Sequence, residues 1–139
     1  MKLHRFLAAG LFALAGCSSI PIDIERAPRA PVTAVMDPSL LDAADSKGTL
    51  RIARDGGVVG IAMTAAIYLD GRHVANSEGN RVLILHVPAG AHKLGIQVQS
   101  SWDPLVYQDV QVEAGAVYDY RVSVSGNGFR GDWRMERLN

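Results

Sequence analysis

From Thr49 onward the chain is built of short apolar or alternating runs separated by turn residues, the period-two pattern of half-buried strands. Thr49–Arg54 comes first, and Met63–Leu69 then runs into Asp70-Gly71, a strong two-residue hairpin signal that Arg72–Asn76 leaves. The apolar run Val82–Val87 predicts a central strand buried on both sides. After Pro88-Ala89-Gly90, residues His92, Leu94, Ile96 and Val98 alternate with Lys93, Gly95, Gln97 and Gln99. Val106–Val112 follows, and then a strand with Tyr118, Tyr120, Val122 and Val124 on one face and Asp119, Arg121 and Ser123 on the other. Asp132–Leu138 closes the series with Trp133 and Met135 on one side. Seven or eight such strands without a helical period predict an all-β fold, an antiparallel two-sheet sandwich over residues 49–139.

The preceding residues carry a different pattern. Four of the six prolines (Pro21, Pro28, Pro31 and Pro38) fall between residues 18 and 47, and X-Pro steps bias a chain to extended conformations. Residues 17–48 are therefore expected to form a tether, dispensable for folding, that could reach ~90 Å when fully extended. Within it, Ser39–Asp45 could form a turn or two of helix.

Residues 1–16 have the layout of a leader. Lys2, His4 and Arg5 precede the apolar stretch Phe6–Leu14, far short of the ~20 residues a membrane-spanning helix needs. Leu14-Ala15-Gly16-Cys17 then matches the bacterial lipobox at every position. Small residues at 15 and 16 suit a signal peptidase, and the Cys17 thiol is the nucleophile for diacylglyceryl transfer. Bacterial lipoproteins carry three acyl chains, as likeness to that class implies, and each buried CH₂ contributes ~0.8 kcal/mol to anchoring. Ser18, rather than Asp, follows the cysteine, which by likeness to Gram-negative sorting points to the outer membrane, facing the periplasm.

Three turn motifs carry a family resemblance. Ile67-Tyr68-Leu69-Asp70-Gly71, Val87-Pro88-Ala89-Gly90-Ala91-His92 and Glu113-Ala114-Gly115-Ala116-Val117-Tyr118 occur in that order. Together they resemble the PEGA-like β-sandwich domains, above all the small bacterial lipoproteins of uncharacterised function that carry one, over roughly residues 49–125. That resemblance implies a transthyretin-like sandwich attached to a membrane, and it brings no catalytic residues.

Charge and chemistry narrow the function further. Of 14 basic residues, Lys2 and Arg5 lie in the leader, leaving 12 against 14 acidic ones. Nucleic-acid binding, which needs clustered surplus Lys and Arg, is not expected. The single cysteine is Cys17, so the domain must be stable without disulfides. His73, His86 and His92 lack HxH or HExxH spacing, and His92 shares a face with Leu94 and Ile96, so a hydrogen bond at the core edge is expected rather than a metal. A Ser, His86 and Asp109 triad lacks a GxSxG elbow, and Gly126–Gly131 matches GxGxxG without a helix to follow. No cofactor and no enzymatic activity are expected. Trp102 and Phe129 stand where turns should be, and an exposed aromatic can mark a partner surface. The expected function is thus a membrane-tethered, non-enzymatic interaction module that holds the bilayer through acylated Cys17 and binds an envelope protein or polymer through Trp102 and Phe129. An unrecognised cell-wall or carbohydrate enzyme, or a structural subunit of an envelope complex, are the alternatives. Labelled palmitate tests the anchor: the wild type should take it up and Cys17→Ala should not, whereas equal incorporation would remove the lipoprotein reading.

Overall fold

The structure, a computed structural model, describes residues 18–58, 63–98, 105–126 and 131–139. Eight strands lie among them: β1 (Lys47–Arg54), β2 (Ala65–Leu69), β3 (Arg72–Ser77), β4 (Arg81–Pro88), β5 (Gly90–Val98), β6 (Val106–Val112), β7 (Val117–Gly126) and β8 (Gly131–Arg137). They form two four-stranded sheets, β4-β1-β7-β8 and β3-β2-β5-β6. The fold is the expected two-sheet sandwich. All pairings are antiparallel except that of β1 with β7, which enters from the other sheet running in the direction of β1.

Alternation decides what faces inward. Leu50 and Ile52 of β1 lie level with Leu85 and Leu83 of β4 and with Tyr118 and Tyr120 of β7. Ile67, Leu94, Ile96, Val110 and Val112 answer them from the second sheet, and all are buried. Tyr118, at the start of β7, accepts a hydrogen bond at its hydroxyl from the Glu113 N–H, 2.9 Å away, which ties down the turn between the sheets. The Asp70-Gly71 hairpin has the two positive φ values, 51° and 80°, that a two-residue turn of type I′ requires.

Two expectations differ from what is found. The run Val82–Val87 belongs to β4, which is an edge strand rather than a central one. Its apolar character has another cause. The Val82 N–H donates to Pro28 O and the Ala30 N–H to Val82 O, so the N-terminal segment covers this edge as an extra strand would.

The second difference concerns that segment, which is not clear of the domain. Residues 18–46 wrap the sandwich as a strap. Ser18 and Ile20 bridge to Ser125 and Gly56, Arg29 to Val82, and Val35 to Ala75 on the edge strand β3. A bulge in β3 leaves Val74 without a partner across β2, and its carbonyl accepts from the Met36 N–H. Short 3₁₀ turns at Val32–Ala34 and Pro38–Leu40 bend the strap, and Asp37 caps the second through the Ser39 N–H. This tight turn stands where a short helix was expected. Val35 and Leu40 enter the core itself.

Polar contacts fix the strap to the outer face of the first sheet. Arg51 of β1 makes a two-pronged ion pair with Asp119 of β7, 2.6 Å at each contact, and reaches Glu25 of the strap at 2.7 Å. Further along, the buried Asp55 carboxylate receives Arg121 Nη2 at 2.7 Å and the Ser19 hydroxyl at 2.9 Å. Hydrogen bonds to these carboxylates raise the pKa of both Arg51 and Arg121. Pro-rich composition thus marked an irregular chain, not an unattached one.

Denaturant unfolding separates strap from tether. Leu40→Ala should cost about 2–5 kcal/mol through the cavity it leaves. Ser19→Ala should cost about 1–3 kcal/mol, because the buried Val124 N–H loses its acceptor, Ser19 Oγ. A segment clear of the domain would leave both midpoints unmoved.

Candidate binding surface

Connectivity gives the sandwich two distinct ends. At one lie Ser18, the end of β1 at Arg54, and the paired ends of β7 and β8 at Gly126 and Gly131. At the other lie the Asp70-Gly71 hairpin and the β4–β5 and β6–β7 turns. The sites expected from sequence, Cys17, Trp102 and Phe129, all lie outside the described residues. The strand ends that bracket Trp102 and Phe129, namely β5 with β6 and β7 with β8, are at the Ser18 end.

A different group of side chains comes together on the outer face of the second sheet. In register across β6, β5 and β2 stand Tyr107, Gly95 and Tyr68, and His73 of β3 follows, paired with Tyr68. The His73 ring stacks on Tyr68 with centroids 5.3 Å apart and 23° between planes. Gly95 makes room for its neighbour: a Cβ there would stand 2.7 Å from Tyr107 Cε1, so the tyrosine ring lies across the glycine. Tyr107 is 45% exposed. The sequence held one signal for this row, a glycine inside an otherwise regular strand, which marks a close approach.

Beside the row, toward the Asp70 end, a recess of about 610 Å³ is lined by Asp70, Ala91, His92, Lys93, Asp109 and Gln111. Lys93 and Asp109 face each other at 3.4 Å across β5 and β6, both largely exposed, so their pairing is worth at most about 1 kcal/mol and can open to a ligand. The rest of the recess is rigid. Asp70 Oδ1 accepts from the Lys93 N–H at 2.8 Å, and Oδ2 lies 2.6 Å from His92 Nδ1. His92 Nε2 lies 2.8 Å from Pro88 O. Both ring nitrogens are therefore engaged in holding two turns together, the core-edge hydrogen bonding expected of this histidine.

The other histidines are separately engaged. His86 sits on β4 with Thr49 Oγ1 at 3.1 Å, and His73 reaches Asn76 Oδ1 at 2.9 Å. Asp109 lies on the other sheet, exposed and paired with Lys93 at 3.4 Å, so the triad considered from sequence is not assembled around His86. Among the described residues no three His, Cys, Asp or Glu side chains converge on one point. Gly126 ends β7 and Gly131 begins β8, so a strand follows the glycine motif where a phosphate loop would need a helix. Among the described residues no helix is long and apolar enough to cross a membrane. No protein-family model matches the chain, and no curated protein matches it.

The recess has a pH signature. Burial raises the pKa of Asp70, but the His92 ring and the Lys93 N–H outweigh it, so the carboxyl sits below its usual range. A carboxylate with a depressed folded pKa contributes stability above its unfolded pKa and loses it as pH falls through the folded value. Asp70→Asn keeps the left-handed turn residue, since Asn tolerates that conformation. Urea melts of the two proteins should therefore differ most above about pH 4 and converge below it. A gap independent of pH would assign the difference to the turn alone.

Proposed function

We propose that this chain is a lipid-anchored protein of the cell envelope, attached through acylated Cys17 to the outer membrane and facing the periplasm. Its sandwich serves as a non-enzymatic binding module for an envelope protein or polymer. The three turn motifs support a reading of the chain as similar to the PEGA-like lipoproteins. The observation that carries the binding role is the aromatic row on the outer sheet face, exposed Tyr107 and half-buried Tyr68 on either side of Gly95, continuous with the recess at Lys93 and Asp109. Flat rings supply apolar contact at low entropic cost, while the flanking amide, amine and carboxylate supply directional hydrogen bonds. This surface is one that the sheet positions; Trp102 and Phe129, the aromatics expected to bind, lie outside the described residues.

A photocrosslinking amino acid at Gln111, introduced in living cells, tests the surface against the same group at Val117 on the other sheet. Gln111 should capture a defined envelope component and Val117 should not. Tyr107→Ala should weaken that capture by ~30-fold, the effect of an aromatic hot spot worth ~2 kcal/mol, while leaving the melting transition nearly unchanged. Capture indifferent to Tyr107 would move the binding site elsewhere.

A further inference from the structure

The strap changes how a lipid at Cys17 would hold the domain. Ser19 is buried, and its contacts are many: its N–H donates to Val124 O at 2.8 Å, and its hydroxyl bonds Asp55 and the Val124 N–H. Ile20 exchanges both backbone hydrogen bonds with Gly56, each at 2.8 Å. These residues fill the place beside β7 that β1 leaves after Arg54, whose register partner is Val122. Covalent geometry allows two residues to span at most ~7 Å, so Cys17 stays within that distance of Ser19. A leash of ~90 Å becomes one about as long as a lipid headgroup layer is thick.

The end of the sandwich from which Cys17 departs carries three exposed apolar side chains, with the acidic Glu78 and Asp132 also exposed there. Ile20 is 63% exposed, Val58 94% and Met63 43%, and all three flank the end of β1 or the start of β2. Single exposed apolar residues are ordinary, but these three share one end with the attachment point. The Ser19–Asp55–Arg121 cluster holds that end in one orientation.

We propose that this end, with Ile20, Val58 and Met63, docks on the bilayer surface, so that the domain stands upright on the membrane with the Asp70 end pointing away. The proposal rests on acylation of Cys17. Insertion of a few apolar side chains to the headgroup boundary adds to the acyl anchor without crossing the membrane. Strands of eight or so residues, at ~3.3 Å each, then lift the Asp70 end ~26 Å above the attachment. The recess would face the periplasmic space or the polymer within it.

The test uses the full acylated protein in vesicles of phosphatidylethanolamine and phosphatidylglycerol containing doxyl-labelled lipid. Because Cys17 is the sole cysteine and carries lipid, Val58→Cys or Gln111→Cys gives a single site for an environment-sensitive fluorophore. The Val58 label should be blue-shifted and quenched several-fold more strongly than the Gln111 label. Ile20→Asp should reduce the Val58 quenching while leaving the melting transition unchanged. Equal quenching at the two sites in vesicle-bound protein overturns the docking alone. Quenching at Val58 that ignores Ile20→Asp overturns the apolar contact and leaves only a short leash. Protein that carries no acyl chain and stays in the aqueous phase overturns the anchor reading and the docking with it.

Discussion

The buried carboxylate of Asp55 is the constraint on which the architecture turns. It stands just past the end of β1 and meets Arg121 from β7 and Ser19 from the N-terminal strap. A charge this deeply buried is tolerated only when paired and hydrogen-bonded, and removing one partner of such a pair typically costs about 3–5 kcal/mol. The three segments are thus obliged to meet, although they lie 36 and 66 residues apart along the chain. Their meeting sets the position of the strap, and the strap sets what becomes of the exposed sheet edges.

Two four-stranded sheets leave four edges, each a row of unpaired backbone groups open to unwanted strand pairing. Here the edges are dealt with by different means. Pro28–Ala30 bonds to β4 and Val35–Asp37 to β3, so one segment closes both edges on one side of the sandwich. On the other side Gln108 of β6 donates to the Met135 carbonyl of β8 and joins the sheets directly. Prolines suit the covering role, because they keep the strap extended and cannot themselves propagate a sheet. The inward Arg54 fills the remaining gap between the sheets near the Ser18 end, with its guanidinium 4.7 Å from the Trp133 ring and bonded to Ser77 O. Burial pushes its pKa down to about 10.

A polar molecule results, in the geometric sense. Its chain enters at one end and its tightest turns, braced by Asp70 and His92, form the other. The outer face of the second sheet, with its aromatic row, runs between them. Its central strands β2 and β5 are paired on both sides and its outer strands β3 and β6 on one, which fixes the backbone under the row.

Local pattern was enough to define the strands and turns. Alternation, and for β4 a continuous apolar run, located the strands among the described residues to within two residues, because a strand buried on one face repeats with period two wherever it lies. Asp70-Gly71 and Tyr118 are legible for the same reason, as each acts over a few residues. Strand order, the edge position of β4, the attachment of the strap and the grouping of Tyr107, Gly95, Tyr68 and His73 emerge only in the folded chain. Apart from Gly95, whose place inside a strand marks a close approach, none of these has a period or a local signature. Val82 looks the same whether covered by a central neighbour or by Pro28, and Ser19 looks like any tether serine until Asp55 is beside it. Contacts made across dozens of residues depend on where two distant segments meet, and only the folded chain brings them together.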